Sequence, residues 1–463
     1  MRYLLFGTGD CYNRYRVWFD RDEVVALLDN SPNKQGEIID GIPVMSPAQG
    51  VTEEFDAVVI LSFYVNSMKE QLIRLGVDEA SIYHFYDIHR LKGTDYLLHP
   101  IRKYGETEDD NKGKRVLLLN QNLSVGGPAL TLFDCARVLK KNGYHPVYGS
   151  MVDGPLKEKL LGEGIPVVID ENMLIGTMRD AKWIKNYDMV FCNAINFYYF
   201  LSSRDENIPC IWWLHDSKFF YEGVDKKIIT SISNENLEVL SVGRVAKEAL
   251  TLYAPQLNPH YFLYGTDDVA VRYKKRCMNR KIRFITLGFV EDRKGQDILA
   301  KAVLLLDQDI RELCEFYIVG KNTSAMAQEL MKTMADISEI VYTGMVDDVH
   351  EYIVDSNVLI CASREDPMPA ACAESMMHSV PCIVTDAAGT AEFITNRENG
   401  LVFKSEDAVD LSEKISWCVR NSDKLESMGK NARKIYDDYF RMDSFEANLM
   451  RVITKSMNGD GIQ

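Results

Sequence analysis

Short apolar runs alternating with amphipathic stretches set the pattern of this chain. Three of the runs feed directly into glycine: residues 2–6 (RYLLF) into Gly7-Thr8-Gly9, residues 115–119 (RVLLL) toward Gly126-Gly127, and residues 282–287 (IRFITL) into Gly288. Strands too short to be helices, alternating with helical stripes, predict parallel sheets of doubly wound type, so each start opens one Rossmann-like α/β unit. The first unit reads as strand 2–6, helix 10–19, strand 23–28, strand 57–62, helix 66–75 and strand 82–85. The second reads as strand 115–120, helix 127–142, strand 146–150, helix 155–163, strands 166–169 and 188–192, helix 196–204 and strand 209–214. The third alternates strands 282–287, 315–319, 339–342, 357–361, 381–384 and 400–403 with helices 294–306, 323–335, 347–354 and 369–378. Helices 407–420, 422–438 and 442–456 follow. Between the first two units periodicity fades and charge, Gly and Pro gather, the marks of a linker.

This predicts domains at residues 1–92, 114–265 and 266–440, a linker at 93–113, and a final segment, 441–463, that crosses back to the second domain. Length agrees, since 463 residues exceed what one core usually serves. A composition 46% hydrophobic and 26% charged excludes a disordered or low-complexity scaffold. With 53 Lys+Arg against 68 Asp+Glu, the net charge of −15 gives no global field for gripping nucleic acid. Modest basic clusters at Lys226-Lys227 and Lys274-Lys275-Arg276 leave peripheral contact with an anionic membrane open. The start, MRYLLFGTGDCYNRYR, lacks the charge, apolar core and cleavage pattern of a secretory signal, and no apolar stretch approaches a membrane span. A cytoplasmic chain is expected, at most resting on the inner face of the plasma membrane. The ten cysteines show no C-x-x-C and no zinc-type spacing, so they read as small core hydrophobes, with no metal site.

In open α/β sheets, ligands bind beyond the carboxyl ends of the strands, where glycine loops lead into helix N-termini. Residues 362–376 (ASREDPMPAACAESM) pass from a strand through an acidic loop to a helix. There the backbone N–H groups of Met368, Ala370 and Ala371 would face negative charge, with Pro369 suited to the first turn. Asp366 and Glu374, eight residues apart, could accept paired hydroxyls; taken singly, they also read as a helix cap and a solvated face residue. Gly288 is followed by Glu291-Asp292-Arg293-Lys294-Gly295-Gln296-Asp297, which sets two cations just beyond a strand and glycine. Such a pair can neutralise the charge building on a departing diphosphate. His215 ends the run Trp212-Trp213-Leu214, and Gly344 ends a strand in Tyr342-Thr343-Gly344.

In these motifs residues 114–456 resemble the family 4 glycosyltransferases of GT-B fold, retaining enzymes that use nucleotide sugars without a metal. The resemblance implies two facing Rossmann-like domains preceded by a third, small one. The family's E-x7-E motif is matched as D-x7-E, which implies Glu374 on the donor ribose and Asp366 near the donor sugar's hydroxyls or anomeric centre. It further implies Arg293 and Lys294 on the diphosphate, His215 beside the sugar, and Gly126-Gly127 as the loop that meets phosphate and acceptor. Gly288, Met368, Ala370, Ala371 and Gly344 would line the donor, the last by backbone contact with the base.

In the first unit, Gly7-x-Gly9 after a strand and Asp29 at the end of the next form a partial nucleotide fingerprint whose third glycine is replaced by Tyr12. The segment Leu27-Leu28-Asp29-Asn30-Ser31-Pro32 followed by Gly41-Ile42-Pro43-Val44 resembles the small Rossmann-like domains at the start of sugar acetyltransferases and some polysaccharide enzymes, which implies either a nucleotide or nucleotide-sugar site or a docking or structural domain. The expected activity is hexosyl transfer from a UDP- or GDP-type sugar to a glycan or lipid-linked glycan in surface polysaccharide assembly, with no cofactor. The rivals are a GT-B sugar-nucleotide 2-epimerase and an inactive nucleotide-sugar sensor or scaffold.

Overall fold

The computed structural model describes residues 1–62, 64–93, 99–106, 113–174, 176–274, 281–322, 330–332 and 334–458. Three sheets organise these residues. The first comprises β1 (Tyr3–Phe6), β2 (Val24–Leu28), β3 (Ile38–Ile39), β4 (Ile42–Met45), β5 (Ala57–Ile60) and β6 (Ile82–His84) in the order β3-β4-β2-β1-β5-β6. The second comprises β7 (Arg102–Tyr104), β8 (Arg115–Asn122), β9 (His145–Val152), β10 (Val167–Ile169), β11 (Met189–Asn193), β12 (Cys210–Leu214), β13 (Leu237–Ser241) and β14 (His260–Tyr261), in the order β14-β13-β12-β11-β8-β9-β10-β7. The third holds β15 (Ile282–Leu287), β16 (Cys314–Val319), β17 (Ile340–Gly344), β18 (Val358–Cys361), β19 (Cys382–Thr385) and β20 (Gly400–Phe403), in the order β17-β16-β15-β18-β19-β20. All pairings are parallel except β3 with β4 and β7 with β10. Central strands such as β1, β5, β11, β12 and β18 are buried along their whole length, as parallel strands covered on both faces must be.

Several expectations need correcting. The stretch expected as a linker, 93–113, contributes β7, which pairs antiparallel with β10 and so belongs to the second sheet. An edge strand needs no apolar face, so its sequence carries no strand periodicity. The expected helix 10–19 is α-helical only at Asp10–Tyr15 and tightens into a 3-10 turn at Arg16–Trp18. That at 196–204 shortens to Tyr198–Leu201. The hairpin β3-β4, strand β13 and the helix Arg244–Tyr253 were not anticipated. Most of the expected helix 323–335, Lys275, Arg276 and Cys277 lie outside the described residues. The nine described cysteines are all buried and unbridged.

The principal helices are α1 (Val65–Arg74), α2 (Gly127–Lys141), α3 (Arg244–Tyr253), α4 (Gln296–Leu304), α5 (Ala370–Met377), α6 (Ala408–Arg420), α7 (Leu425–Ile435) and α8 (Met442–Asn458). Helix α7 ends in a π-helical turn, Tyr436–Phe440, after which α8 packs on the second sheet's unit. Phe445 of α8 meets Phe262 at 5.5 Å and Trp213 at 6.2 Å, and Glu446 binds Lys141 and Asn142 at the end of α2. One apolar cluster therefore runs from the second unit through α8 into the third. A second cluster joins the first unit to the second, where Tyr86 stacks on Tyr199 at 5.0 Å and meets Tyr198 edge-on at 5.6 Å. The first unit is thus packed against the second by aromatic surface.

Candidate active site

The carboxyl ends of the second and third sheets meet across a cleft, and the chemistry gathers there. Beyond β15 the chain makes Gly288 (φ 130°), whose backbone packs against Gly320 beyond β16; a Cβ on Gly320 would sit 1.9 Å from the Gly288 oxygen. Gly320 N–H in turn donates to Gly344 at the end of β17. This floor of the third unit's loops is therefore backbone, with no side chain between them. A 3-10 turn, Asp292–Lys294, then presents the two cations and closes at Gly295 in the left-handed region (φ 67°), where a Cβ would lie 2.0 Å from the Ala362 oxygen. Only glycine permits that approach of the cationic turn to the loop after β18.

The approach is cross-braced. Arg364 N–H donates to the Arg293 oxygen, and the Arg364 guanidinium clasps Asp297 with two bonds of 2.9 Å. Burial works to raise the Asp297 pKa, but Arg364 and Lys301 outweigh it and hold the carboxyl below its ordinary range. On this frame Lys294 Nζ donates to Asp366 Oδ2 at 2.6 Å, and Arg293 Nη1 lies 3.7 Å from the same oxygen. Arg293 also donates to the Glu365 oxygen at 3.1 Å and to Glu291 at 2.8 Å. The Asp366 side chain is only 8% exposed. Burial by itself lowers the Lys294 pKa; the Asp366 carboxylate overcomes this and leaves the ammonium more firmly protonated than usual. Asp366 is held from behind, because Gly389 N–H donates to its oxygen and Gly389 is so close that a Cβ would fall 1.8 Å from the Pro367 oxygen.

Helix α5 starts just beyond. Pro369 is its N-cap rather than part of its first turn, which corrects the expectation, and the N–H groups of Ala370 and Ala371 have no intrahelical acceptor. Ala370 is exposed, Ala371 half-buried and Met368 buried. The Glu374 side chain, one turn further along, makes no hydrogen bond or ion pair among the described residues, and desolvation raises its pKa. A half-buried carboxylate left without a partner is poised for a ligand's hydroxyls.

Across the cleft, β12 delivers His215. Its Nε2 is shut off from solvent and has no hydrogen-bond partner, and desolvation drops its pKa to about 3, so the imidazole is neutral. The turn is anchored by Asp216, which accepts the Ile195 N–H at 2.6 Å and whose pKa burial pushes up to about 6. Gly126 caps α2, and a Cβ on Gly127 would meet nothing within 4 Å, so the loop is open to a ligand. Gly344 (φ 72°) is equally open.

Four participants escaped sequence reasoning. Glu365 accepts the N–H groups of Lys218 (2.8 Å) and Phe219 (3.2 Å) across the cleft, and Glu392 accepts that of Arg244 (2.9 Å) at the start of α3. The Arg244 guanidinium reaches the Asp386 oxygen at 3.1 Å. Together these latch the third unit to the second. Tyr264 has a buried hydroxyl with no partner, and its pKa is raised first by burial and then by Cys372, Glu374 and Asp366. It thus stands within electrostatic reach of both carboxylates of the D-x7-E motif. Glu365 was legible as a charged neighbour of Asp366, but its partners lie 146–147 residues away.

In the first unit the glycine loop and Asp29 do come together, but with each other. Asp29 accepts from the Thr8 hydroxyl and backbone, from Ser31 N–H at 2.8 Å and from Lys34, and Lys34 also donates to Thr8 at 3.0 Å. Burial favours a higher Asp29 pKa, yet these bonds hold it below the ordinary value. Gly7 (φ 115°) packs against the Leu61 oxygen, where a Cβ would sit at 2.6 Å; Gly9 is open. The carboxylate expected to greet a ribose is already satisfied internally.

No group of three or more His, Cys, Asp or Glu suited to a metal occurs among the described residues, and none of their helices is long and apolar enough to cross a membrane.

Residues 272–435 match the family profile "Glycosyl transferases group 1", and residues 1–83 match "C2185-like, N-terminal". The chain is 27% identical over 126 residues to N,N'-diacetylbacillosaminyl-diphospho-undecaprenol alpha-1,3-N-acetylgalactosaminyltransferase of Campylobacter jejuni, covering 27% of this chain and 32% of that one. It is 22% identical over 208 residues to N-acetyl-alpha-D-glucosaminyl L-malate synthase of Bacillus anthracis, covering 44% and 51%. The chain spans about half, or less, of the length of the curated relatives it matches. In structure it is similar to HepE of Anabaena in complex with UDP-glucose, with a TM-score of 0.62 at 16% identity over 74% of this chain and 99% of that one. The protein is therefore of GT-B architecture, with residues 272–435 similar to the group 1 glycosyl transferases and residues 1–83 to the C2185-like N-terminal domain.

Proposed function

We propose that this protein is a retaining, metal-independent glycosyltransferase of family 4 type, moving a hexose from a nucleoside-diphosphate sugar to a hydroxyl of a glycan or lipid-linked glycan in surface polysaccharide assembly. The observation that carries the reading is the Arg293-Lys294-Asp366 cluster beside the free N–H groups of α5 and the unpartnered Glu374. Those groups suit the two halves of a nucleotide sugar: cations and helix N–H groups for the diphosphate, carboxylates for hydroxyls. The donor bound to the Anabaena neighbour, UDP-glucose, makes a UDP-sugar the first to try.

In this reading Glu374 holds the ribose and Asp366 orients the donor sugar. Arg293 and Lys294 take up the charge that forms on the diphosphate as the anomeric C–O bond breaks, the task a divalent cation performs elsewhere. The acceptor hydroxyl attacks the same face, and its proton passes to the departing phosphate oxygen, so no protein base is needed. His215, neutral and with Nε2 unsatisfied, can bond a donor hydroxyl but carries no charge to the reaction.

Incubation with a panel of UDP- and GDP-sugars, with and without EDTA, tests this. Release of nucleoside diphosphate that EDTA leaves unchanged, with the anomeric configuration kept in the product, is expected. Loss of at least about two orders of magnitude is expected for Glu374→Ala, the scale of removing one electrostatic stabiliser. No release from any donor overturns the reading, and formation of a 2-epimer replaces it.

A further inference from the structure

Three aromatic rings stand exposed in a row at the mouth of the cleft, and the first belongs to the N-terminal unit. Tyr64, the N-cap of α1, is 55% exposed, Phe219 54% and Phe220 44%. Tyr64 and Phe219 meet edge to face at 6.4 Å (82°), and Phe219 meets Phe220 the same way at 5.3 Å (87°). Phe220 lies 6.0 Å from the guanidinium carbon of Arg293. The row therefore starts at the cation that faces the diphosphate and runs outward onto a different domain. Edge-on contacts leave a face of each ring uncovered, and exposed rings this close together forgo burial that an ordinary surface would take.

The backbone beneath the row is fixed from three sides. Lys218 and Phe219 N–H groups are held by Glu365, Tyr221 is buried in the acceptor-side unit, and Asn66 Nδ2 donates to the Glu222 oxygen at 2.6 Å. Tyr64 follows β5, so it sits at the carboxyl end of the first sheet, beside the crevice between β1 and β5 where the strand order reverses. With Asp29 internally satisfied, the N-terminal unit's clearest offering to the cleft is this ring and Asn66.

We propose that Tyr64, Phe219 and Phe220 form an acceptor platform on which successive pyranose rings of a saccharide lie, so that the N-terminal unit helps select the acceptor. The inference rests on the glycosyl-transfer reading of the cleft. A pyranose has one face of C–H groups that packs on an aromatic ring, and hydroxyls at its rim that need polar partners. The rim here is carboxylate and amide: Glu365, Glu291 and Asn66, the last with an Oδ1 that accepts no bond among the described residues. Carboxylates at the edge of the row favour hydroxyls over an anionic lipid surface. Continuity with Arg293 places the inner end of the platform where an attacking hydroxyl must arrive.

The test is saturation-transfer NMR in the presence of UDP. The probes are methyl glycosides and disaccharides of glucose, galactose and N-acetylglucosamine, and the proteins are wild type, Tyr64→Ala, Tyr64→Trp and Phe219→Ala. A disaccharide that binds the wild type is expected to weaken about tenfold in Tyr64→Ala and Phe219→Ala, with the matching methyl glycoside less affected by Tyr64→Ala. Tyr64→Trp should restore affinity, and UDP binding should stay unchanged throughout, which also reports an intact fold. Equal disaccharide affinity in wild type and Tyr64→Ala overturns the proposal, as does a wild type that binds none of the saccharides. Loss of co-sedimentation with phosphatidylglycerol vesicles in Tyr64→Ala, with saccharide binding intact, assigns the row to a lipid surface instead. Donor hydrolysis is read separately: its absence in the wild type defeats the transferase reading, whereas its presence with an indifferent Tyr64 defeats the platform alone.

Discussion

The Lys294–Asp366 pair can be taken apart so that its structural and chemical roles separate. Lys294→Met removes the cation 2.6 Å from a carboxylate that is 8% exposed. Stranding a buried charge in this way costs about 3–5 kcal/mol when nothing else compensates. Here Arg293 remains at 3.7 Å; because Coulomb energy falls as 1/r its attraction is roughly 70% as strong as the one removed, and the carboxylate is not left unpaired. The expected loss is therefore lower, about 2 kcal/mol. Asp366→Asn should cost at least as much, since it leaves Lys294 without its counter-charge while Arg293 keeps only Glu291. The double variant Lys294→Met/Asp366→Asn leaves no unpaired ion and should return to within about 1 kcal/mol of the wild type. Transfer should behave otherwise: Lys294→Met falls by about 10²–10³, and the double variant does not recover. Urea denaturation followed by circular dichroism measures the first quantity, and nucleoside diphosphate release the second. A Lys294→Met protein as stable as the wild type, or a double variant that regains turnover, would refute the reasoning.

Other consequences are as direct. Gly295→Ala forces a Cβ to within 2.0 Å of the Ala362 oxygen from a left-handed backbone, so it should destabilise the protein by more than about 1 kcal/mol and depress turnover, whereas Gly127→Ala, with open space around it, should leave stability nearly unchanged. Glu365→Ala strips the acceptor from two N–H groups across the cleft; solution scattering should show a more open average shape, and donor KM should rise by several-fold. His84 has its pKa lowered to about 3 by desolvation, against a slight raising effect of Ser62. Below pH 6.5 the unfolded chain then binds a proton that the folded chain refuses, so this group's contribution is intact above pH 6.5 and is lost as pH falls. Relative to the wild type, His84→Gln should gain up to about 1.4 kcal/mol per pH unit, roughly 2 kcal/mol by pH 5, and parallel stability profiles would count against the assignment.

What the sequence determined by itself was local. An apolar run of four to six residues ending in glycine specifies a covered parallel strand and the loop beyond it, because burial on both faces and a positive φ are demands met within one stretch of chain. That is why β1, β15 and the loop at Gly288 were legible; β8 and β18 showed as apolar runs alone, and Asp366 and Glu374 could be set on one loop and helix from their spacing. The rest depended on residues far apart. Lys294 finds Asp366 across 72 positions, and Glu365 finds Lys218 across 147, so neither charge announces its partner through any period. Residues 102–104 become a strand only because β10 offers them a free edge, and Asp29 meets Thr8 and Lys34 only because the fold brings them onto it. Hydrophobic periodicity reports how much of each element is buried, not against what. Tertiary structure decided which charges are paired, which carboxylate is left wanting a partner, and that a ring from the first unit stands at the mouth of a cleft formed by the other two.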